Sequence, residues 1–300
     1  MSRLHELVEL VRRHLGEATP EGVGPLTLPG LQIIGSTTVT EARQVVYEPM
    51  LCLILEGAKT TVLGAESHPY RAGQYLVVST DLPVSGQVIA APYLALGVPL
   101  DPTLIAELML ETAEPASGDD PAPLRALAVS DMDDDLIDTV IRLVRLLDRP
   151  AEAPVLAPMI RRELMWRLLT GERSAMMRQI GSGGGRLAQV RRAVRWLRQN
   201  YAEPMRIERL AEVAGMSETS LHRHFKAVTA MSPLQYQKQV RLQEARNLLL
   251  ARGRDVAGVG FAVGYDSPSQ FSREYARLFG RPPGRDLERM RADPSLAVAV

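Results

Sequence analysis

The sequence predicts a multi-domain chain: a small N-terminal β-barrel with flanking helices, then a C-terminal all-α domain carrying two helix-turn-helix motifs. Three observations predict it. From Leu31 to Pro99 the chain breaks into short β-type runs divided by Gly, Pro, Asp and Ser, the pattern of a small sandwich or barrel. From Ile207 to Gly280 the apolar residues recur at three- and four-residue steps, and a helix, turn, helix phrase occurs twice. Between these patterns lies Gly181-Ser182-Gly183-Gly184-Gly185, which reads as a flexible linker and a domain boundary. The expected division is 1–100 for the first helix and barrel, 101–180 for a helical region, 181–185 for the linker, 186–291 for the double motif and 292–300 for a tail.

Charge separates the two parts. The 300 residues carry a net charge of zero. From Arg186 to Val300, however, 20 Lys plus Arg stand against 11 Asp plus Glu, and the preceding residues show the reverse, 15 against 24. That asymmetry suits a chain of which one domain approaches phosphate, although solvated charge on exposed helices gives the same count. Cys52 is the only cysteine, so an intrachain disulfide and a cysteine-based zinc site are excluded, and a reducing cytoplasm is the expected location. Glu6, Glu9, Arg12 and Arg13 interrupt the apolar residues of the N-terminus, so no secretory signal is read there. Leu82 to Leu100 lacks charge, but Pro83, Pro92 and Pro99 divide it into short runs that suit buried strands better than a membrane helix. No nucleophile is paired with a base, and Gly185 is followed by Arg186-Leu187-Ala188 rather than the Lys-Ser of a phosphate loop; catalysis and cofactors are not expected.

In chain order, Leu4, Leu7, Val8, Val11 and Leu15 make one apolar stripe, predicting a helix capped by Ser2 and ended by Gly16. Pro20 to Gly30 reads as loop. Strands are expected in QVVYE, PMLCLILEG, KTTVLG, ESHPY, QYLVVS, SGQVIA and YLALGVPL. Asp101-Pro102 starts a helix, Asp133 to Leu147 makes a second and Val155 to Leu169 a third. The run Asp131, Asp133, Asp134, Asp135 could suggest a metal site, but carboxylates favour the positive end of a helix dipole, so it reads as a helix start.

The double motif is the most informative part. In IERLAEVAGMSETSLHRHFK, Gly215 suits the left-handed end of one helix and Ser217 the cap of the next; in VAGVGFAVGYDSPSQFSREYARLFG, Gly264 makes the turn and Ser267-Pro268 the second start. Pro233 to Ala251 reads as a connecting helix of about 28 Å, near the roughly 34 Å repeat of B-DNA. Within this region LAEVAGMSETSLHRHFK, SPLQYQKQVRLQEARNLL and VGYDSPSQFSREYARLFGRPP resemble the DNA-binding domain of the AraC/XylS transcriptional regulators. Ala230 departs from the family pattern, which has Gly there, and Gly258 and Gly260 each weaken a helix by about 1 kcal/mol relative to Ala. More loosely, YEPMLCLILEGAK, YRAGQYLVVSTDLPVSGQV and PYLALGVPLD are similar to the AraC-type N-terminal cupin domain, which implies a barrel that binds a small molecule or mediates dimerisation, with helices used for dimer contacts. His68 is the only histidine of that region, so the metal set of a cupin enzyme is missing.

The face of the first reading helix away from Leu221, Phe225 and Val228 presents Thr219, His222, Arg223 and Lys226. Arg223 can fork onto the O6 and N7 of guanine, with Thr219 and His222 reaching neighbouring edges or phosphates. His224 lies nearer the core and reads as structural. In the second reading helix, Ser269, Gln270 and Arg273 face away from Phe271 and Tyr275, with Gln270 suited to adenine, Arg273 to guanine and Arg277 to phosphate. In the barrel, Tyr47, Tyr70, Tyr75 and Tyr93 are candidate polar anchors of a mostly apolar interior, and Cys52 reads as core with a redox role as the alternative. The resemblance implies a sequence-specific regulator working on double-stranded DNA as a homodimer, and leaves room for RNA polymerase and a small organic effector as partners. The rival readings are a cupin-fold enzyme and an effector-independent architectural DNA binder carrying the same module.

Overall fold

The computed structural model describes residues 2–15, 22–25, 28, 30–112, 125–253 and 255–292. Gly16, the tail 293–300 and parts of the stretches expected as loop and helix near residues 16–29 and 113–124 lie outside the described residues.

Helix α1 (Arg3–Leu15) is followed by strands β1 (Gly22–Pro25), β2 (Gln32–Ser36), β3 (Arg43–Tyr47), β4 (Met50–Leu63), β5 (Glu66–Arg71), β6 (Gln74–Val78) and β7 (Leu82–Pro99). Helix α2 (Pro102–Glu111), strand β8 (Leu127–Asp131) and helices α3 (Asp134–Arg145), α4 (Ala153–Thr170) and α5 (Ser174–Gly181) complete the N-terminal half. The strands form one antiparallel sheet in the order β1-β2-β7-β4-β6-β8, with β3 also on β7 and β5 also on β4. Two long strands fold the sheet over on itself. β7 pairs with β3 along Leu82–Gly86 and with β2 along Tyr93–Gly97, while β4 follows it from Met50 to Val62 through register shifts between Ile54 and Lys59. The sequence reads two strands in each of these stretches; the bulged region bends each strand without ending it.

Both faces of the first half of β4 are buried, which is why MLCLIL is apolar throughout instead of alternating with polar residues. Leu51, Leu53 and Leu55 of β4, Tyr75 and Val77 of β6, and Leu94, Leu96 and Val98 of β7 join the core under α1 and α3–α5. Their neighbours Cys52, Ile54, Leu76, Val78, Tyr93 and Ala95 join a second core. Two segments differ from the sequence reading. Gly22–Pro25, expected as loop, pairs with β2 at the sheet edge, where backbone hydrogen bonding needs no apolar side chains and a proline is tolerated. Leu127–Asp131, expected within a helical region, is an edge strand on β6; five residues are too few to show period-two alternation against the acidic run that follows. That run does start a helix: Asp133 caps α3, accepting from Leu136 N at 2.7 Å. Asp101 caps α2 in the same way.

The C-terminal half is helical: α6 (Gly185–Gln199), α7 (Ile207–Ala214), α8 (Glu218–Thr229), α9 (Pro233–Arg252), α10 (Val256–Ala262), α11 (Pro268–Phe279) and α12 (Pro283–Ala292). The stretch expected as a five-residue linker is shorter here. Gly181 is the buried end of α5, where a Cβ would lie 2.6 Å from Ile105 Cγ2 and 2.8 Å from Met109 Sδ, so it lets α5 close on α2. Only residues 182–184 separate the two helices. The halves also touch directly. The core containing Cys52 and Tyr93 continues into Val194, Leu197, Phe225 and Tyr236. At its rim Arg198 pairs with Asp81 and, at 3.3 Å, with Glu48, and the Tyr236 hydroxyl donates to Asp81 O at 3.0 Å.

Candidate DNA interface

The first helix-turn-helix is built as its residues require. α7 ends on Gly215 at φ 68°, and Ser217 accepts from Ser220 N at 3.3 Å to start α8. Carbonyls at the end of α7 are met from α6, Gln189 donating to Gly215 O at 2.7 Å and Arg192 to Ala214 O at 2.9 Å. Leu221, Phe225 and Val228 are buried, and the Phe225 ring stands edge-on to Tyr236 of α9 with centroids 5.5 Å apart. On the opposite side Thr219, His222, Arg223 and Lys226 are all exposed. α8 ends on Ala230 at φ 57°, the only described non-glycine residue with positive φ, which explains why a glycine fits that position.

The second motif repeats the design with different parts. Asp255 caps α10, Gly264 turns at φ 88°, and Ser267 caps α11 with Pro268 in its first turn. At Gly264 a Cβ would meet Ala202 O at 2.1 Å, so backbone from before α7 presses on this turn. Gly260, which weakens α10 on propensity alone, is needed for packing: a Cβ there would lie 3.0 Å from the Phe271 ring. Phe271 and Tyr275 are buried, and the Tyr275 hydroxyl donates to Asp286 at 2.8 Å, where Arg246 also binds at 3.0 Å. Ser269, Gln270, Arg273 and Arg277 are exposed on the far face of α11. Gln270 is not wholly free, since its amide donates to Glu274 at 3.2 Å. Burial alone would raise the Glu274 carboxyl, but hydrogen bonds from Lys238, Gln270 and Tyr265 outweigh it and hold it below the usual carboxylate range. Through Lys238, at 3.0 Å, Glu274 ties α11 to α9.

The 20-residue α9 connects the motifs, started by a capping box in which Ser232 and Gln235 exchange side-chain and backbone bonds. Arg241 on this helix bonds the carbonyls of Tyr201, Ala202, Glu203 and Gly264, stapling the loop before α7 to the turn of the second motif. The eight candidate residues thus stand on the outer faces of two helices whose inner faces are fixed to one strut. Sequence reasoning missed the staple and the Glu274 tie, because their partners are carbonyls and side chains brought together only by folding.

In the barrel, Tyr70, Tyr93, Thr61 and Lys59 are buried. Thr61 and the Tyr70 hydroxyl are 2.8 Å apart, and Lys59 Nζ lies 5.4 Å from the Tyr47 ring centre and 5.9 Å from that of Tyr93. Tyr75, expected in the same group, faces the other core beneath the helices, because it has the opposite strand parity. Burial pushes the Cys52 thiol up to about 11, which keeps it protonated and poorly nucleophilic near neutral pH.

Comparison with known proteins agrees with this architecture. A family model described as the AraC-type transcriptional regulator N-terminus matches residues 27–176, half of the chain. The chain belongs to the AraC-type transcriptional regulators. A helix-turn-helix domain model matches residues 210–289 of this AraC-type chain. It is 28% identical over 158 residues to the HTH-type transcriptional activator RhaS of Salmonella schwarzengrund and to that of Salmonella typhimurium, the match covering 52% of this chain and 55% of each relative. The chain thus spans about half the length of the curated relatives it matches. Among solved structures, apo ToxT from Vibrio cholerae aligns with TM-score 0.58 at 9% identity, over 86% of this chain and 97% of that one. Wild-type ToxT with unsaturated fatty acid bound aligns with TM-score 0.53 at 11% identity, over 86% and 93%. At such identities the likeness is one of fold. Among the described residues no helix is long and apolar enough to cross a membrane.

Proposed function

We propose that this AraC-type chain is a cytoplasmic regulator that binds double-stranded DNA sequence-specifically, α8 and α11 entering successive major grooves from one face of the duplex. The observation that carries it is the split character of both helices: Leu221, Phe225, Phe271 and Tyr275 are fully buried while Arg223, Lys226, Arg273 and Arg277 are exposed. Arg223 and Arg273 read guanine, Gln270 reads adenine after exchanging its Glu274 contact for the base, Thr219, His222 and Ser269 contact adjacent edges or phosphates, and Lys226 and Arg277 hold the backbone. Footprinting the full chain on DNA flanking its coding region tests this. A protected site spanning two adjacent major grooves on one face supports it, and protection without sequence preference would favour an architectural role.

The N-terminal half supplies dimerisation and sensing in this reading. On α4, Val155 is 67%, Met159 63% and Trp166 40% exposed, one stripe on a helix whose other side is core. An antiparallel pair of α4 helices about a two-fold axis sets Val155 of one copy against Trp166 of the other, with Met159 and Arg162 between. The buried hydroxyls of Tyr70 and Tyr93 beside Lys59 and Thr61 give the barrel a polar spot in an apolar interior, suited to a small amphiphilic organic effector. RNA polymerase is the remaining partner of such a regulator.

A further inference from the structure

His224 sits where the sequence suggests a purely structural residue. It is 7% exposed, on the turn of α8 that also carries Arg223. Yet its Nε2 lies 3.2 Å from Arg223 Nη2. A guanidinium has donors and no acceptor, so this contact is a hydrogen bond only if Nε2 carries a lone pair and the ring proton is on Nδ1. The surroundings favour that neutral form. Burial lowers the imidazole from its ordinary value, and the charges of Arg223 and of Arg186, from the start of α6, lower it further.

Several charged groups on the other packed elements have partners of their own. On α7, Arg209 pairs with Glu212 at 3.0 Å, and Glu208 is exposed. On α9, Lys238 pairs with Glu274 and Arg241 with backbone carbonyls. From the barrel, Gly64 approaches Ala230, and the nearby Glu66 lies 3.7 Å from His68.

Resting on the reading of Arg223 as a base-contacting residue, we propose that His224 is a positioning residue: its neutral imidazole holds the Arg223 guanidinium on the DNA-facing side of α8, aimed at guanine. One of five N–H groups is engaged, and the remaining four leave the forked pair that guanine O6 and N7 require. A long, exposed arginine otherwise samples many rotamers, and fixing it beforehand lowers the entropy lost on binding. Protonation of the ring removes the acceptor and sets a third cation beside Arg186 and Arg223, so the fixation is present at neutral pH and lost on acidification.

The test uses the full chain and a duplex selected by it from a randomised pool at pH 7.5, in competition with every single-base variant of that duplex. Arg223→Ala identifies the base pair it reads. At that pair His224→Leu, which keeps the apolar packing, is expected to discriminate about five- to tenfold less than the wild type, out of the roughly 5- to 150-fold such a contact supplies. His224→Gln, whose amide oxygen can accept the same bond, is expected to restore most of it. As pH falls from 7.5 through the lowered titration of the ring, the wild type should lose discrimination at that pair, a loss that His224→Leu lacks. Discrimination is the readout because a protonated histidine also attracts phosphate and strengthens binding to all sequences. A folded His224→Leu protein that discriminates like the wild type overturns the proposal. If that variant does not fold, His224→Met takes its place, and a folded His224→Met protein that discriminates like the wild type overturns the proposal. Should Arg223→Ala change no position, the base-reading assignment itself fails; should it relax one pair while His224→Leu does not, only the positioning role falls.

Discussion

At the residue scale, exposure separates the candidate contacts from their helical neighbours, and the sequence was sufficient for that. A 3.6-residue period places Arg223 opposite Phe225's side of the core and Arg273 opposite Tyr275's, and both arginines are exposed. What each exposed arginine touches was not legible, since Arg223's neighbour His224 reads equally well as plain core. Arg223→Ala and Arg273→Ala should each lose about 1 to 3 kcal/mol at the preferred site and relax one base position, whereas Arg277→Ala should weaken all sequences alike. Fluorescence anisotropy against specific and random duplexes measures this, and equal losses on both duplexes for all three variants would refute the roles assigned to them.

At the scale of elements, caps and turns were the legible features because their chemistry is local: Ser217, Ser267, Asp101 and Asp133 all accept the backbone bonds their positions suggest. Strand ends were less legible, because β4 and β7 continue through residues that elsewhere stop a strand. Two substitutions probe the turns. Ala230 takes a left-handed conformation costing about 1 to 2 kcal/mol for an L-residue, while a glycine gains roughly 0.4 to 1 kcal/mol of extra freedom in the unfolded chain. Ala230→Gly should therefore raise stability by about 0.5 to 1 kcal/mol, read as a higher denaturation midpoint. Gly264→Ala should do the reverse, and more strongly. Its new methyl would sit 2.1 Å from a backbone carbonyl, at a φ of 88°. A loss of about 3 kcal/mol is expected from strain and overpacking together. The footprint should then shrink to the half contacted by α8, and an unchanged two-groove footprint would show that this turn does not set α11.

At the scale of the whole molecule, the glycine stretch near residue 183 signals a junction, but nothing in it signals that the halves share a core. That core depends on side chains distant in sequence, such as Asp81 with Arg198 and Tyr236. Burial opposes the charge on Arg198, and the pairing with Asp81 and Glu48 outweighs it, so the cation is stabilised inside the junction. The α4 stripe was likewise readable only as a helix, since its Leu164 and Leu168 face the core while Val155, Met159 and Trp166 do not. If α4 pairs with itself, Met159→Glu with Trp166→Glu places like charges in an apolar contact and should give a monomer by sedimentation. Neither side chain supports the barrel core, so thermal stability at matched monomer state should be nearly unchanged. DNA affinity should fall because the two half-sites are no longer tethered, and each monomer must bind without the raised local concentration its partner supplies. The monomer should still protect one half-site at higher protein concentration, since α8 and α11 belong to a single chain. A double variant that remains dimeric would move the dimer contact to another face, and a monomer with undiminished affinity would show that one chain suffices for the full site.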